Sequence, residues 1–306
     1  YCAGITGGVF FQSILKRSGT KTLISIAETI DNRFKIDWKK TPPVIPAQYG
    51  QWILNDILIA ELIPFIDWTP FFSAWEMRKA YPAILSDRQY GEQATKLFND
   101  ANRMIDKIVL ENWLTAKAVI GIWPAAEEND DILVFNENGK EQARFSMMRQ
   151  QVKKTKGQPQ FSLADFIAPN SSGIKDALGG FVVSIDGRLK EKIADFESDH
   201  DDYHAIMLKA LADRFAEALA EYMHLKVRKD YWGYAKDEKL GSEEIIHENY
   251  IGIRPAPGYP ACPDHTEKTK LFDLLEAEKN TGVALTESLA MNPVSSVCGW
   301  YFAHPA

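Results

Sequence analysis

Cysteine is scarce in this sequence. Only Cys2, Cys262 and Cys298 occur among 306 residues. Three scattered cysteines cannot form a disulfide framework, and they point to reduced thiols in a cytoplasmic protein. Long apolar runs are also missing. None reaches the roughly 18 residues of a membrane span, so no membrane partner is expected. Basic residues are in deficit: Lys and Arg number 35 against 42 Asp and Glu, a formal net charge of −7. Nucleic-acid binding needs a dominant basic surface, so no nucleic-acid partner is expected either. No GxSxG or HExxH is present, and the "GITGG" near the start is not GxGxxG. No repeat of 20–50 residues occurs. Helix and strand signals do not alternate in βαβ order, which argues against a doubly wound sheet.

What is present is ordinary globular chemistry, 45% hydrophobic and 25% charged. The length allows one large domain or two small ones. Residues 1–20 carry no readable function and are taken as an unassigned leader. "FKIDWKKTPPVIP" (Phe34 to Pro46) is turn-rich and cannot continue a helix. "GEQATKLFNDANRMIDKIVLENW" (Gly91 to Trp113) predicts an amphipathic helix, with Leu97, Ala101, Met104, Ile105 and Ile108 on one face. "KAVIGIWPA", "DDILVF" and "ARFSM" predict a meander of antiparallel strands, with "NENGK" as a turn, and "GGFVVSID" (Gly179 to Asp186) predicts a further strand. A long helix is expected from about Asp201 to Tyr231, with Ile206, Leu211, Phe215, Leu219 and Tyr222 as its apolar stripe. Acidic "ESDHDD" before it and basic "KVRK" at its end suit the helix dipole. Shorter helices are expected over Ser242–Asn249 and His265–Gly282, then closing strands in "LTESLA" and "SSVCGWYFAHP". The order of elements predicts an α+β domain with an antiparallel sheet.

Candidate chemistry is sparse. His200 and His204 stand four apart, the spacing of two imidazoles on one helix face, but no third metal ligand can be chosen; helix-start electrostatics alone explain the aspartates between them. Cys262 has no context that favours a thiolate and reads as a small buried residue. The basic runs Lys153–Lys156 and Lys226–Lys229 read as solvated surface or as a docking face for an acidic protein. "RPAPGYPACPDHTEK" (Arg254 to Lys268) is different. Its prolines fix φ and remove N–H donors, Gly258 permits a turn or a close approach, and Arg254 can hold a carboxylate bidentately. Such a strip serves either as a rigid connection or as a site for an amino-acid-like ligand.

With "DWTPFF" (Asp67 to Phe72), "DDYHAIMLKALADRFAEALAEYMHLKVRKDYWGYA" (Asp201 to Ala235) and "LTESLAMNPVSSVCGWYFAHP" (Leu285 to Pro305), that strip strongly resembles the C-terminal activation domain of cobalamin-dependent methionine synthase. The likeness runs over about residues 21–306. It implies a C-shaped α+β domain, with a bent antiparallel sheet flanked by long helices, that binds S-adenosylmethionine. It also implies a longer polypeptide, a 5-methyltetrahydrofolate–homocysteine methyltransferase. Cobalamin and zinc would belong to its other modules, and a further segment bearing a pair of tyrosines would follow Ala306.

The task implied by the resemblance is reductive reactivation. One electron from flavodoxin or a similar reductase, with a methyl group from S-adenosylmethionine, would restore methylcobalamin on the cobalamin-binding domain and so support methionine synthesis from homocysteine. No catalytic residue is needed on this chain, and the isolated domain is not expected to turn over alone. By the same resemblance Arg254 would bind the ligand carboxylate and Asp67 its ammonium group. Ala256 and Gly258 would contact it through backbone atoms, Tyr259 completes the motif, and Glu217 and Glu248 are acidic positions near the site. The rival readings are a non-catalytic docking module for flavodoxin and the cobalamin domain, and a free-standing small-molecule methyltransferase.

Overall fold

The computed structural model describes residues 22–304; the leader expected over residues 1–20 lies outside them, as does Cys2. The chain opens with α1 (Ile26–Asp31), β1 (Gly50–Ile57), α2 (Ile59–Leu62), α3 (Trp68–Ala74) and α4 (Gly91–Leu110). Four strands follow: β2 (Leu114–Glu128), β3 (Asp131–Phe135), β4 (Glu141–Ser146) and β5 (Asp176–Gly187). Then come α5 (Leu189–Ser198), α6 (Asp202–Lys226), α7 (Ser242–Ile246), α8 (Glu267–Leu274) and α9 (Ala277–Thr281). The last strands are β6 (Ala284–Leu285), β7 (Met291–Asn292) and β8 (Ser296–Tyr301). The α+β class and the antiparallel sheet are as the sequence predicts.

β2 is the spine of the main sheet. On one edge it pairs first with β1 (Gly50 opposite Ile122) and then with β3 (Ala125 opposite Val134), while β5 runs along the other edge. β4 extends the sheet beyond β3, and β8 extends it beyond β5. Successive side chains of β2 enter two different cores: Ala118, Ile120 and Ile122 on one face, Val119, Trp123 and Ala125 on the other. Both faces are covered, so β2 and β5 read as unbroken apolar runs rather than as alternating ones. The first core packs the sheet on α4 and α6 through Leu97, Met104, Ile108, Leu211, Phe215 and Leu219. The second packs it on α8 through Trp300, Phe145 and Leu271.

Several boundaries differ from the expectation. α4 stops at Leu110, because Asn112 is left-handed (φ 51°) and turns the chain into β2; the Trp113 indole donates to Glu111 at 2.8 Å. α6 gives way to a wider π-helical turn over Val227–Tyr231. Ile206 is not on the buried stripe but 51% exposed. Five residues separate it from Leu211, which places it roughly 140° away around the helix axis. The helix expected over His265–Gly282 is two helices, broken where Glu276 is left-handed (φ 45°), and Gly282 ends the second as expected. The helix at Ser242 ends at Ile246, and "LTESLA" gives Leu285 to β6 while the rest of it forms the turn to β7 rather than a strand. α5 has no counterpart in the sequence reading.

A buried carboxyl lies at the start of β5. Asp176 accepts N–H bonds from Ala168 (2.8 Å) and Ala177 (2.7 Å), yet burial outweighs them and raises its pKa from 3.8 to about 6. A folded pKa above the unfolded value means stability that is full below about pH 4 and lost as pH rises through 6. The wild-type chain is therefore expected to lose at most about 3 kcal/mol between pH 4 and 6, a slope that Asp176→Asn, which cannot ionise, should lack. Urea unfolding from pH 4 to 8 checks this; an equal slope for both proteins between pH 4 and 6 would refute it.

Candidate functional site

The proline strip is fastened to the outer edge of β8. Ile253 and Phe302 exchange two 3.0 Å backbone bonds, and the Trp300 N–H donates to the Pro255 carbonyl at 2.9 Å. Proline has no N–H to offer a sheet, but at an edge only its carbonyl is needed. Gly299 lets the strip approach, since a Cβ there would stand 2.5 Å from the Pro255 oxygen. Beyond Pro257 the strip folds on itself: the Gly258 N–H donates to the Cys262 carbonyl (2.7 Å), and the Cys262 N–H to that of Tyr259 (2.9 Å). Gly258 has φ +93°, and a Cβ would lie 2.3 Å from the His265 ring. No other residue fits both conditions.

Facing the strip is a polar stripe on α6. Glu217, Glu221 and His224 of α6, then Arg228 of the π-helical turn, follow at steps of four, three and four, so they share one face. The buried Arg254 donates from Nη2 to Glu221 Oε1, and the Tyr250 hydroxyl donates to Glu221 Oε2 at 3.4 Å. Burial works against the charge of Arg254, but Glu221, Tyr250 and Glu217 outweigh it and hold its pKa above the usual guanidinium value. Burial pushes the Glu221 carboxyl up, and the charges of Arg254 and Arg228 oppose that shift.

Behind this pair lies a second. Arg228, 0% exposed, forks onto Glu238 at 2.7–3.2 Å and stacks 4.1 Å from the centre of the Tyr250 ring. His224 stacks on Tyr301 at 5.2 Å and meets the edge of Tyr250 at 4.8 Å; its Nε2 lies 3.1 Å from the Tyr234 hydroxyl. Burial, with the charges of Arg228 and Arg254, drives its pKa well below 6.5, so the imidazole is neutral. Arg254 Nε, Arg228 Nη1, His224 Nδ1 and the Tyr301 hydroxyl are buried without a protein partner. Unpartnered buried polar groups are rare in folded proteins, and here they gather around one pair of tyrosine rings.

The structure thus gathers Arg254, Glu217 and, through its charge on Tyr250, Glu248. Glu248 itself is left-handed (φ 58°) just after α7. Ala256 is buried in the docked part of the strip, and Gly258 and Tyr259 form its turn. Asp67 stands apart as the N-cap of α3, accepting from the Thr69 N–H at 2.9 Å. The turn just before it, Ile63–Phe65, packs against both α6 and α7. Residue chemistry alone did not single out Glu221, His224, Arg228 or Tyr250. The available signal was the four-three-four polar spacing along the helix.

The histidine pair does not form a site. His200 precedes α6 with φ 57°, so it does not share a helix face with His204, which binds Asp201 at 2.7 Å. Among the described residues, no group of three or more His, Cys, Asp or Glu could hold a metal ion. Burial pushes the Cys262 thiol up to about 12, away from thiolate chemistry. The run Lys226–Lys229 is not a solvated patch: Arg228 is buried, Lys226 pairs with Asp230 (3.4 Å) and Lys229 donates to the Glu238 carbonyl (3.2 Å). In the run Lys153–Lys156, Lys154 donates to the Pro159 carbonyl (2.7 Å) over the Phe161 ring.

Known proteins give a consistent picture. The profile described as "Vitamin B12 dependent methionine synthase, activation domain" matches residues 58–306. A solved structure, "Crystal Structure of the MetH Reactivation Domain bound to AdoHcy", superposes with a TM-score of 0.89 at 47% identity, covering 92% of this chain and 87% of that one. The profile match includes α6, the strip and β8, the three elements that build the Arg254 cluster. This chain belongs to the activation-domain family of vitamin B12-dependent methionine synthase.

Proposed function

We propose that this chain is the reductive reactivation module of a cobalamin-dependent methionine synthase and binds S-adenosylmethionine. The observation that carries the reading is Arg254: a buried, charged guanidinium with Nε unpartnered, set on a strip whose backbone is fixed to the sheet. That group suits the carboxylate end of an amino-acid ligand. Asp67 would take the ammonium group on Oδ2, since its capping bond to the Thr69 N–H uses Oδ1. Backbone atoms of Ala256 and Gly258, with Tyr259, would line the same end. Glu217 and Glu248 add negative charge, which suits a ligand whose sulfonium and ammonium outnumber its one carboxylate.

S-adenosylmethionine, when bound, supplies an activated methyl group on a sulfonium. The residues of this chain hold and orient it, and the acceptor belongs to the cobalamin-binding domain of the same polypeptide. Zinc would lie in the other modules, in a cytoplasmic enzyme that takes its electron from flavodoxin or a similar reductase. Support for this assignment is the family membership and the AdoHcy bound to the similar MetH domain. Titration calorimetry on the full chain tests it. Saturable one-site binding of S-adenosylmethionine is expected, with no methyl transfer to small acceptors when no cobalamin protein is present. Absence of binding would favour a docking module. Turnover without cobalamin would favour a free-standing methyltransferase.

A further inference from the structure

Arg254 does not meet solvent with a free fork. Its side chain is 4% exposed, and Glu221 holds it through Nη2. The two residues come from opposite walls of the site, α6 and the proline strip, 33 positions apart in sequence. Glu221 is itself fixed, since its second oxygen accepts from the Tyr250 hydroxyl at 3.4 Å. Tyr250 in turn lies between the Arg228 guanidinium, 4.1 Å from its ring centre, and the His224 ring at 4.8 Å. The chain of contacts therefore runs from the buried Arg228–Glu238 pair through Tyr250 and Glu221 to Arg254.

A guanidinium carries five N–H donors in one plane. Fixing the Nη2 corner sets the direction in which the others point. Arg254 Nε is one of those others, buried and without a partner. The geometry points to Glu221 as a positioning residue: it pins the Arg254 guanidinium in the plane from which its remaining donors reach the carboxylate of an amino-acid ligand. This rests on the proposal that Arg254 receives that carboxylate. Glu221 acts through Arg254, and its charge also offsets the cost of keeping a cation buried while the ligand is away. Glu217, one turn earlier, adds charge to the pair. A fork held in place before binding loses less conformational freedom when the ligand arrives.

The test is calorimetry on the full chain with two probes. One is S-adenosylmethionine. The other is decarboxylated S-adenosylmethionine, which keeps the sulfonium and the nucleoside but lacks the carboxylate. Glu221→Gln is expected to weaken the first probe by about 10- to 100-fold, the range of a charge-assisted hydrogen bond. The second probe should change by less than about twofold. Equal losses for both probes, or no loss for either, would overturn the positioning role. A second comparison sets Arg254→Met, which leaves Glu221 without its cation, against Arg254→Met/Glu221→Met, in which neutral side chains replace the whole pair. There the loss of Glu221 should change S-adenosylmethionine affinity by less than about twofold, since nothing is left to position. A further tenfold loss in that background would show that Glu221 acts without Arg254 and would overturn the inference. A wild-type chain that binds neither probe would remove the proposed function and this role together. A wild-type chain that binds, with Glu221→Gln showing no preference between the probes, removes only the role.

Discussion

Arg254→Ala is expected to lower S-adenosylmethionine affinity by roughly 30- to several-thousand-fold, the cost of breaking a buried hydrogen-bonded charge pair. The same substitution leaves Glu221 buried without its cation, a loss of about 3–5 kcal/mol in stability. The two effects separate by pH. Without Arg254, only the Tyr250 hydroxyl and the more distant Arg228 offset the burial that raises the Glu221 pKa. A carboxyl with a raised folded pKa gives its stability below the unfolded value and loses it as pH rises. Arg254→Ala should thus lie closer to wild type in thermal unfolding at pH 5 than at pH 8. Arg254→Lys keeps a cation opposite Glu221 but loses the planar fork. It should fold near normally and recover only part of the affinity. A folded Arg254→Ala protein with wild-type affinity would refute the assignment of Arg254 to the ligand.

Glu238→Ala should be the most damaging single change to the fold in this region. Arg228 is fully buried, and its Nε and Nη2 both donate to Glu238. Removing the acceptor leaves a cation with no exit to water, at about 3–5 kcal/mol. That is a large part of the 5–15 kcal/mol that holds a typical domain together. Tyr250 stacks on the same guanidinium and bonds Glu221, so ligand affinity should fall as well. Replacing both charges, as Arg228→Met/Glu238→Met, should restore most of the stability, because no ion is then buried unpaired. Urea unfolding of the three proteins decides the matter. A double variant no more stable than Glu238→Ala would mean that the pair contributes shape rather than charge balance.

Much of this molecule is legible in one dimension, and the exceptions share a cause. β2, β5 and α4 announce themselves because local apolar periodicity records which faces are buried. Arg254 and Gly258 stand out because arginine and glycine do chemistry that few other residues can, within a motif of known family pattern. Arg228 was misread as part of a basic surface run because "KVRK" is a cluster along the sequence but not around a helix. Its helical phase matches Glu221 and His224, and that phase points inward. The partners themselves are not local: Arg254 and Glu221 meet across 33 positions, and no composition or spacing rule links a strip to a distant helix. Asp67 illustrates the opposite limit. The family resemblance proposes it for a ligand, while its immediate surroundings use it as a helix cap. The cap occupies Oδ1 alone, and the second oxygen is left for another partner.

The fastening of the proline strip to β8 also orders events during synthesis. β5 waits for β8 to pair along its free edge, Gly179 meeting Tyr301, and only then does an edge exist for Ile253 and Pro255. Contacts between such distant parts of a chain form late, because the loop between them must close first. A growing chain that has emerged only as far as residue 295 already carries α6 and Arg254, yet nothing holds the strip against the sheet. The Trp300 and Phe302 amides, whose protons bond the strip, should therefore gain hydrogen-exchange protection together with ligand affinity as residues 296–302 emerge.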